Sequence, residues 1–190
     1  GNTVLIKDLL KSFHPEVIKY FMIKTHYRSP ITFTLSQLSN SKIGLDKLYF
    51  CFRKFNFDFS QKINKENNNY TKRFYNAMND DFNSPLAISV LHEVVREIFR
   101  TKNKKLLNTL YTLTTGLGLL KTKPEDYFTW LPEEFRFSRG EIENLIEKRL
   151  IYKKQRKFQE ADNIRTLLSK EGIVLDDINS DSTLWRYDLS

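Results

Sequence analysis

The chain has 190 residues, 40% of them hydrophobic and 14% aromatic with fifteen Phe and nine Tyr. That is enough to bury one core or two or three small packed units in series, and it excludes a solvated tail. Lys and Arg outnumber Asp and Glu by 31 to 23, and the net charge of +8 with a pI near 9.4 favours a polyanionic partner, nucleic acid first. A single cysteine, Cys51, rules out an internal disulfide and fits a reducing compartment, so the chain is expected to be cytoplasmic. No apolar run approaches the roughly eighteen residues of a membrane span, and the first residues lack the order of a signal peptide. They also lack an initiator Met, which is read as the mark of a fragment or a processed product.

Leu9, Leu10, Phe13, Val17, Ile18, Phe21 and Met22 recur at helical spacing, and Pro15 is tolerated in a first turn, so two successive helices are predicted. Pro30 disfavours helix at Ser29 and leaves His26-Tyr27-Arg28-Ser29-Pro30 as an exposed turn. Leu35 to Phe55 is helical in pattern, with Leu38, Ile43, Leu45, Leu48, Tyr49 and Phe52 on the core face. The polar stretch Ser60 to Asn69 offers almost nothing to bury and is expected to be a mobile connection, disordered from Gln61. Asn83-Ser84-Pro85 opens a helix to about Thr101, with the Ser84 hydroxyl as the expected cap and Pro85 in the first turn. Another helix runs from Lys104 to Leu113, stopped near Gly116 and Gly118, so that these helices form an antiparallel bundle.

Lys121 to Phe137 carries Pro124, Pro132 and irregular aromatics, and reads as a packed linker. Ser138 and Glu141 have capping-box spacing and open a helix to about Arg156, followed by Gln159 to Lys170, ended by Gly172. Ile173-Val174-Leu175 and Leu184-Trp185-Arg186-Tyr187 flank a polar turn and predict a hairpin.

Chemistry-bearing motifs are sparse. His14, His26 and His92 are scattered and, with one cysteine, lack the spacing of a zinc site, so no metal is expected here. Asp80-Asp81 precedes a helix and reads as a cap or turn rather than a Mg2+ site, and Cys51 among Tyr49, Phe50 and Phe52 reads as a buried thiol. There is no glycine-rich phosphate loop and no Ser, His and acid arrangement, so no catalytic residue is assigned. Lys148, Arg149, Lys153, Lys154, Arg156 and Lys157 crowd ten residues, with Phe158 next. Such a cluster suits phosphates and a stacked base, and equally a solvated helix whose Phe158 belongs to the core.

The residues then resemble a known family, the cysteinyl-tRNA synthetases. The opening Gly1-Asn2-Thr3-Val4-Leu5 is similar to the sequence that completes the class I signature K-M-S-K-S-L-G-N. His14-Pro15-Glu16-Val17-Ile18-Lys19-Tyr20-Phe21 resembles the family's D-P-E-V-L-R-Y-F helix, with His14 where Asp is usual. His26-Tyr27-Arg28-Ser29-Pro30-Ile31 and Ala77-Met78-Asn79-Asp80-Asp81-Phe82-Asn83-Ser84-Pro85 resemble two more segments. Ala161-Asp162-Asn163-Ile164-Arg165, Gly172-Ile173-Val174-Leu175-Asp176-Asp177 and Thr183-Leu184-Trp185-Arg186 resemble its closing ones.

The resemblance implies a mainly α fold in four parts: a stem-contact region (1–33), a helical bundle (34–120), a linker (121–137) and an α+β anticodon-binding domain (138–190) ending in a hairpin. It implies tRNA(Cys) as partner, with the anticodon met by Lys153, Phe158, Asp162 and Asp177. The family uses Arg where Lys153 stands and Trp where Phe158 stands, so the planar fork and the indole donor are lost while the stacking face is kept. The tRNA backbone is assigned to Arg149, Arg156, His26 and Arg28. ATP and one zinc ion belong to the parent ligase, a monomer, whose catalytic motifs lie upstream of Gly1 in the family, and the isolated chain is expected to be inactive. Two alternatives stay open, a related ligase joining cysteine to an amino sugar and a non-enzymatic basic helical module.

Overall fold

The structure, a computed structural model, describes residues 4–60 and 67–188. The predicted mobile connection falls largely on 61–66, outside the described residues. The mainly α class with a terminal hairpin is the observed one. Among the described residues the helices are α1 (Ile6–Ser12), α2 (Pro15–Ile23), α3 (Leu35–Lys54), α4 (Asn69–Asn79), α5 (Ser84–Thr101), α6 (Lys105–Gly116), α7 (Pro124–Phe128), α8 (Arg139–Lys154) and α9 (Phe158–Lys170). β1 (Ile173–Asp177) and β2 (Thr183–Tyr187) pair antiparallel. No described helix is long and apolar enough to cross a membrane. The chain divides into two compact units, Pro15–Pro124 and Gly1–His14 with Glu125–Ser190.

In the first unit α2 packs on α3, α4 on α5, α5 on α6 and α3 on α5. Leu38, Leu45, Leu48, Tyr49 and Phe52 of α3 and Leu91, Val94 and Ile98 of α5 are fully buried, at the helical spacing the sequence shows. Each such side chain contributes about 1.5–3 kcal/mol of transfer free energy. Cys51 lies among them, and burial pushes its thiol up to about 12. Ile43, expected in this core, is instead 53% exposed. The cap of α5 is also corrected: Asn83 rather than Ser84 accepts the Leu86 N–H, at 3.1 Å, and Ser84 is the first helical residue.

Helix α4 has no counterpart among the predicted elements. Its signals were the N-cap Asn68, whose side chain accepts from Thr71 N–H, and the pair Phe74 and Ala77, both buried and three residues apart. They adjoin the polar run, and the buried face they make is short. A long-range constraint closes the unit: Glu16, in the first turn of α2 and 5% exposed, accepts the backbone N–H groups of Leu120 and Lys121, each at 2.8 Å. The chain reaches those amides through Gly118 and Leu120, both with positive φ (72° and 56°).

In the second unit α8 starts with the expected capping box of Ser138 and Glu141. Helix α8 packs on α9 and α9 on β1. Ile142, Ile146, Leu168, Ile173, Leu175 and Trp185 form its core, against which Leu131, Phe135 and Phe137 from the irregular segment pack. Ile173 and Leu175 face inward on alternate positions of β1, opposite Tyr187 and Trp185 of β2. Helix α1 joins this unit through the Lys11 carbonyl, which accepts the Glu133 N–H at 2.9 Å. His14, the departure from the family's Asp, sets its ring edge-on to Tyr127 and Trp130 at 4.9 and 5.8 Å.

Gly172 turns α9 into β1 at φ 79°, and a Cβ there would lie 2.9 Å from the Asp188 carbonyl oxygen. Gly172→Ala is therefore expected to destabilise the protein by about 1–3 kcal/mol, read from the urea midpoint; an unchanged midpoint contradicts this.

Candidate nucleic-acid interface

Arg149 and Lys153 lie one turn apart on α8, on the face turned to the turn end of the hairpin. There Asp177, the last residue of β1, stands opposite Thr183, the first of β2. The Arg149 guanidinium donates from Nη1 to Asp177 Oδ1 at 2.8 Å and from Nη2 to Oδ2 at 2.9 Å. The Thr183 hydroxyl donates to Oδ1 at 2.6 Å and Lys153 Nζ to Oδ2 at 2.9 Å. The hydrogen bonds from Arg149 above all, then those from Thr183 and Lys153, hold the Asp177 carboxyl well below the usual carboxylate range.

This geometry corrects one expectation. Arg149, assigned to the tRNA backbone, is 1% exposed and committed to Asp177, so it presents no surface to a phosphate. Its Nε has no hydrogen-bond partner among the described residues, which is the cost of burying the fork. Asp177 itself carries two donors on each oxygen; a base amino group can meet it only by sharing an oxygen or displacing a donor. Thr183 as a partner of Asp177 was not foreseen, although the antiparallel register follows from the predicted hairpin.

Phe158 opens α9 with 62% of its surface exposed, so it is not a core residue. Arg156 and Lys157 precede it and are exposed. Arg156 adopts φ 60° at the reversal between the two helices. Asp162 follows Phe158 by one helical turn on the same face and is exposed, and its charge is felt at Arg149. Thus Lys153, Asp162 and Asp177 gather around Arg149, with the Phe158 ring a turn away. Lys154 pairs with Asp181 at 2.8 Å beside them, and Arg186 pairs with Asp176.

His26 and Arg28 belong to the other unit, where both converge on Asp81. Arg28 Nη1 lies 3.0 Å and His26 Nε2 3.9 Å from Asp81 Oδ2, and the Tyr27 hydroxyl donates to Oδ1 at 2.6 Å. The hydrogen bonds from Tyr27 and Arg28 lower the Asp81 pKa. Asp81 and Phe82 both have positive φ (49° and 51°), a strained pair that leaves Phe82 67% exposed. The Asp80-Asp81 motif is thus a turn and an ion-pair anchor. Among the described residues no group of three or more His, Cys, Asp or Glu could hold a metal ion.

The DALR domain family matches residues 73–121, which span α4 to α6. The chain is similar over 98% of its length to proteins named cysteine–tRNA ligase. The one from Nitrosomonas europaea is 36% identical over 195 residues, 41% of that protein. The one from Polynucleobacter necessarius is 40% identical over 191 residues, 40% of that protein. A third, from Neisseria meningitidis serogroup A, is 35% identical over 189 residues and 26% of its length. The chain thus spans about two fifths of the length of the first two relatives.

Two outcomes test the Arg149–Asp177 pair. Arg149→Met is expected to cost about 2–4 kcal/mol, with the double variant Arg149→Met/Asp177→Asn costing less than the sum of the singles in urea unfolding. Because the folded-state pKa of Asp177 is depressed, its stabilisation is complete above the unfolded carboxylate value near pH 4 and is lost as pH falls below it. Asp177→Asn is accordingly expected to flatten the loss of stability between about pH 4 and pH 2; identical acid profiles contradict the pairing.

Proposed function

We infer that this chain, a homologue of the C-terminal part of cysteine–tRNA ligases, is a tRNA-gripping region whose last unit reads an anticodon. The observation that carries the reading is an exposed ring, Phe158, between the exposed cations Arg156 and Lys157 and the exposed carboxylate Asp162, beside a fixed carboxylate at Asp177. A single-stranded loop offers splayed bases with π-faces and donor edges, and this arrangement supplies a stacking surface, two carboxylate acceptors and phosphate-seeking cations.

The roles divide by chemistry. Asp162 accepts from a base edge directly. Asp177 is held by Arg149 and Thr183, and its contact with Lys153, a flexible ammonium about one third exposed, is the one a base amino group replaces. Lys153 then turns its charge to a neighbouring phosphate. Arg156 and Lys157 position the backbone without reading sequence. Arg28 and His26 meet the tRNA stem from the other unit, with Asp81 fixing both.

The reaction belongs to the longer protein: cysteine and ATP give cysteinyl-adenylate and pyrophosphate, and the cysteinyl group passes to the terminal adenosine of tRNA(Cys) with release of AMP. ATP and a zinc ion would serve that protein, which we place in the cytoplasm as a monomer. Among the described residues no group of three or more His, Cys, Asp or Glu could hold that metal.

Binding of a tRNA transcript with a GCA anticodon should weaken steeply with salt. Asp162→Ala and Asp177→Ala should each cost about 1–3 kcal/mol for that transcript and narrow its advantage over one with an altered anticodon. Equal affinity of the unaltered chain for both transcripts, in a filter-binding series, overturns the reading.

A further inference from the structure

Another basic surface lies in the helical unit, lined by none of the residues assigned above. Tyr20 and Lys24 from α2 and the residue just beyond it, Gly44, Lys47 and Phe50 from α3, and His92, Arg96 and Phe99 from α5 line an open cleft of about 750 Å3. Lys24, Lys47 and Arg96 are exposed, and none makes an ion pair among the described residues. Glu93 feels Arg96 but is already held on both oxygens by Arg73. No acidic residue lines the cleft.

The floor is built rather than incidental. Gly44 leaves room for the Tyr20 hydroxyl, which a Cβ at that position would meet at 2.9 Å. That hydroxyl lies 2.7 Å from His92 Nε2, locking α2 to α5 beneath the cations. Burial, then the positive charge of Lys47, Arg96 and Lys24, holds the His92 imidazole below its ordinary range. Three cations from separate segments of the chain thus line one cleft. Phe50, 44% exposed, lies parallel to Phe99 on the wall and offers an apolar face. Ile43, the residue displaced from the expected core, also lines the cleft.

We propose that this cleft is a binding site for an RNA phosphodiester backbone, in which Lys24, Lys47 and Arg96 neutralise adjacent phosphates and Phe50 packs against a ribose or base. Unpaired cations around a partly apolar floor with no carboxylate match the charge and the alternation of phosphate and nucleoside along a strand. Nothing in the cleft carries the paired donors and acceptors that read a base edge, so its contribution is affinity and register. The proposal rests on the tRNA-binding reading and extends it to a further point of contact.

The test uses the full chain and a tRNA transcript with a GCA anticodon, with a second transcript altered only in the anticodon. Lys47→Ala/Arg96→Ala changes two exposed side chains, and circular dichroism and the thermal midpoint check its fold. Affinity at about 0.1 M salt should fall tenfold or more, and the slope of log K against log salt should flatten by about 1.4–1.8. The ratio of affinities for the two transcripts should stay unchanged. In the unaltered chain, adding tRNA should raise the His92 pKa followed by NMR, because a bound phosphate offsets the three cations. Unchanged affinity and slope, or an unmoved His92 titration, overturn the proposal. So does a double variant that keeps its RNA affinity but loses self-association in light scattering, which assigns the cleft to a second copy. If the unaltered chain binds both transcripts equally, the anticodon reading fails, while the double variant still decides the cleft.

Discussion

The fork between Arg149 and Asp177 governs what the C-terminal unit can present. A planar guanidinium meets a carboxylate at two points and fixes both its distance and its plane. This bond therefore ties α8 to the last residue of β1, and through Thr183 to the first of β2. With that corner fixed, α8 and α9 hold Lys153, Phe158 and Asp162 toward solvent around a carboxylate whose orientation does not drift. A buried cation whose partner leaves is strongly unfavourable, so the unit keeps Asp177 ionised and in place.

The positive charge of the chain is used in two physically distinct ways. Some cations are neutralised within the fold: Arg73 on Glu93, Arg136 on Glu171, Arg139 on Asp126 and Glu143, and Arg149 on Asp177. Others, including Lys24, Lys47, Arg96 and Arg156, head no ion pair among the described residues. Net charge counts both alike, yet only the second group projects a field that a polyanion can feel. The excess of basic residues thus resolves into local patches, one beside the exposed Phe158 ring and one over the Tyr20–His92 pair.

Much of the fold was legible because its signals are local. A capping box needs two residues three apart, and a hairpin needs two apolar runs and a polar turn, so α8 and the sheet were read directly. Helix α4 escaped because its buried face is short and its start merges with a polar run, so tertiary packing and not propensity selects it. Ile43 does not share the period of Leu38, Leu45, Leu48, Tyr49 and Phe52: at about 100° per residue it falls on the opposite side of α3, the side that lines the cleft with Lys47 and Phe50. At the candidate site the residue types of Asp162 and Phe158 suited exposed work, and both are exposed. Arg149 looked like its basic neighbours, and only the strand packed over it shows that it is internal. Lys24, Lys47 and Arg96 are scattered along the chain, and no spacing rule could join what three helices bring together.

The Glu16 contact has a kinetic side. Its acceptor and the Leu120 amide are separated by 104 residues, so the interaction that closes the helical unit is among the last its chain can form. Closing a loop of that length costs about 4 kcal/mol beyond a constant, which two hydrogen bonds to a charged group, about 1.5–3 kcal/mol each, do little more than offset. The pairings of α2 with α3 and of α4 with α5 must form first and bring the ends near each other. On a ribosome adding about 5–20 residues each second, α2 waits several seconds for its partner amides. During that interval the Glu16 carboxylate lacks these two backbone donors, and the apolar face behind it is covered only by the helices already made. The fold is therefore arranged so that its most buried acid is satisfied at the end of assembly, by backbone that arrives last.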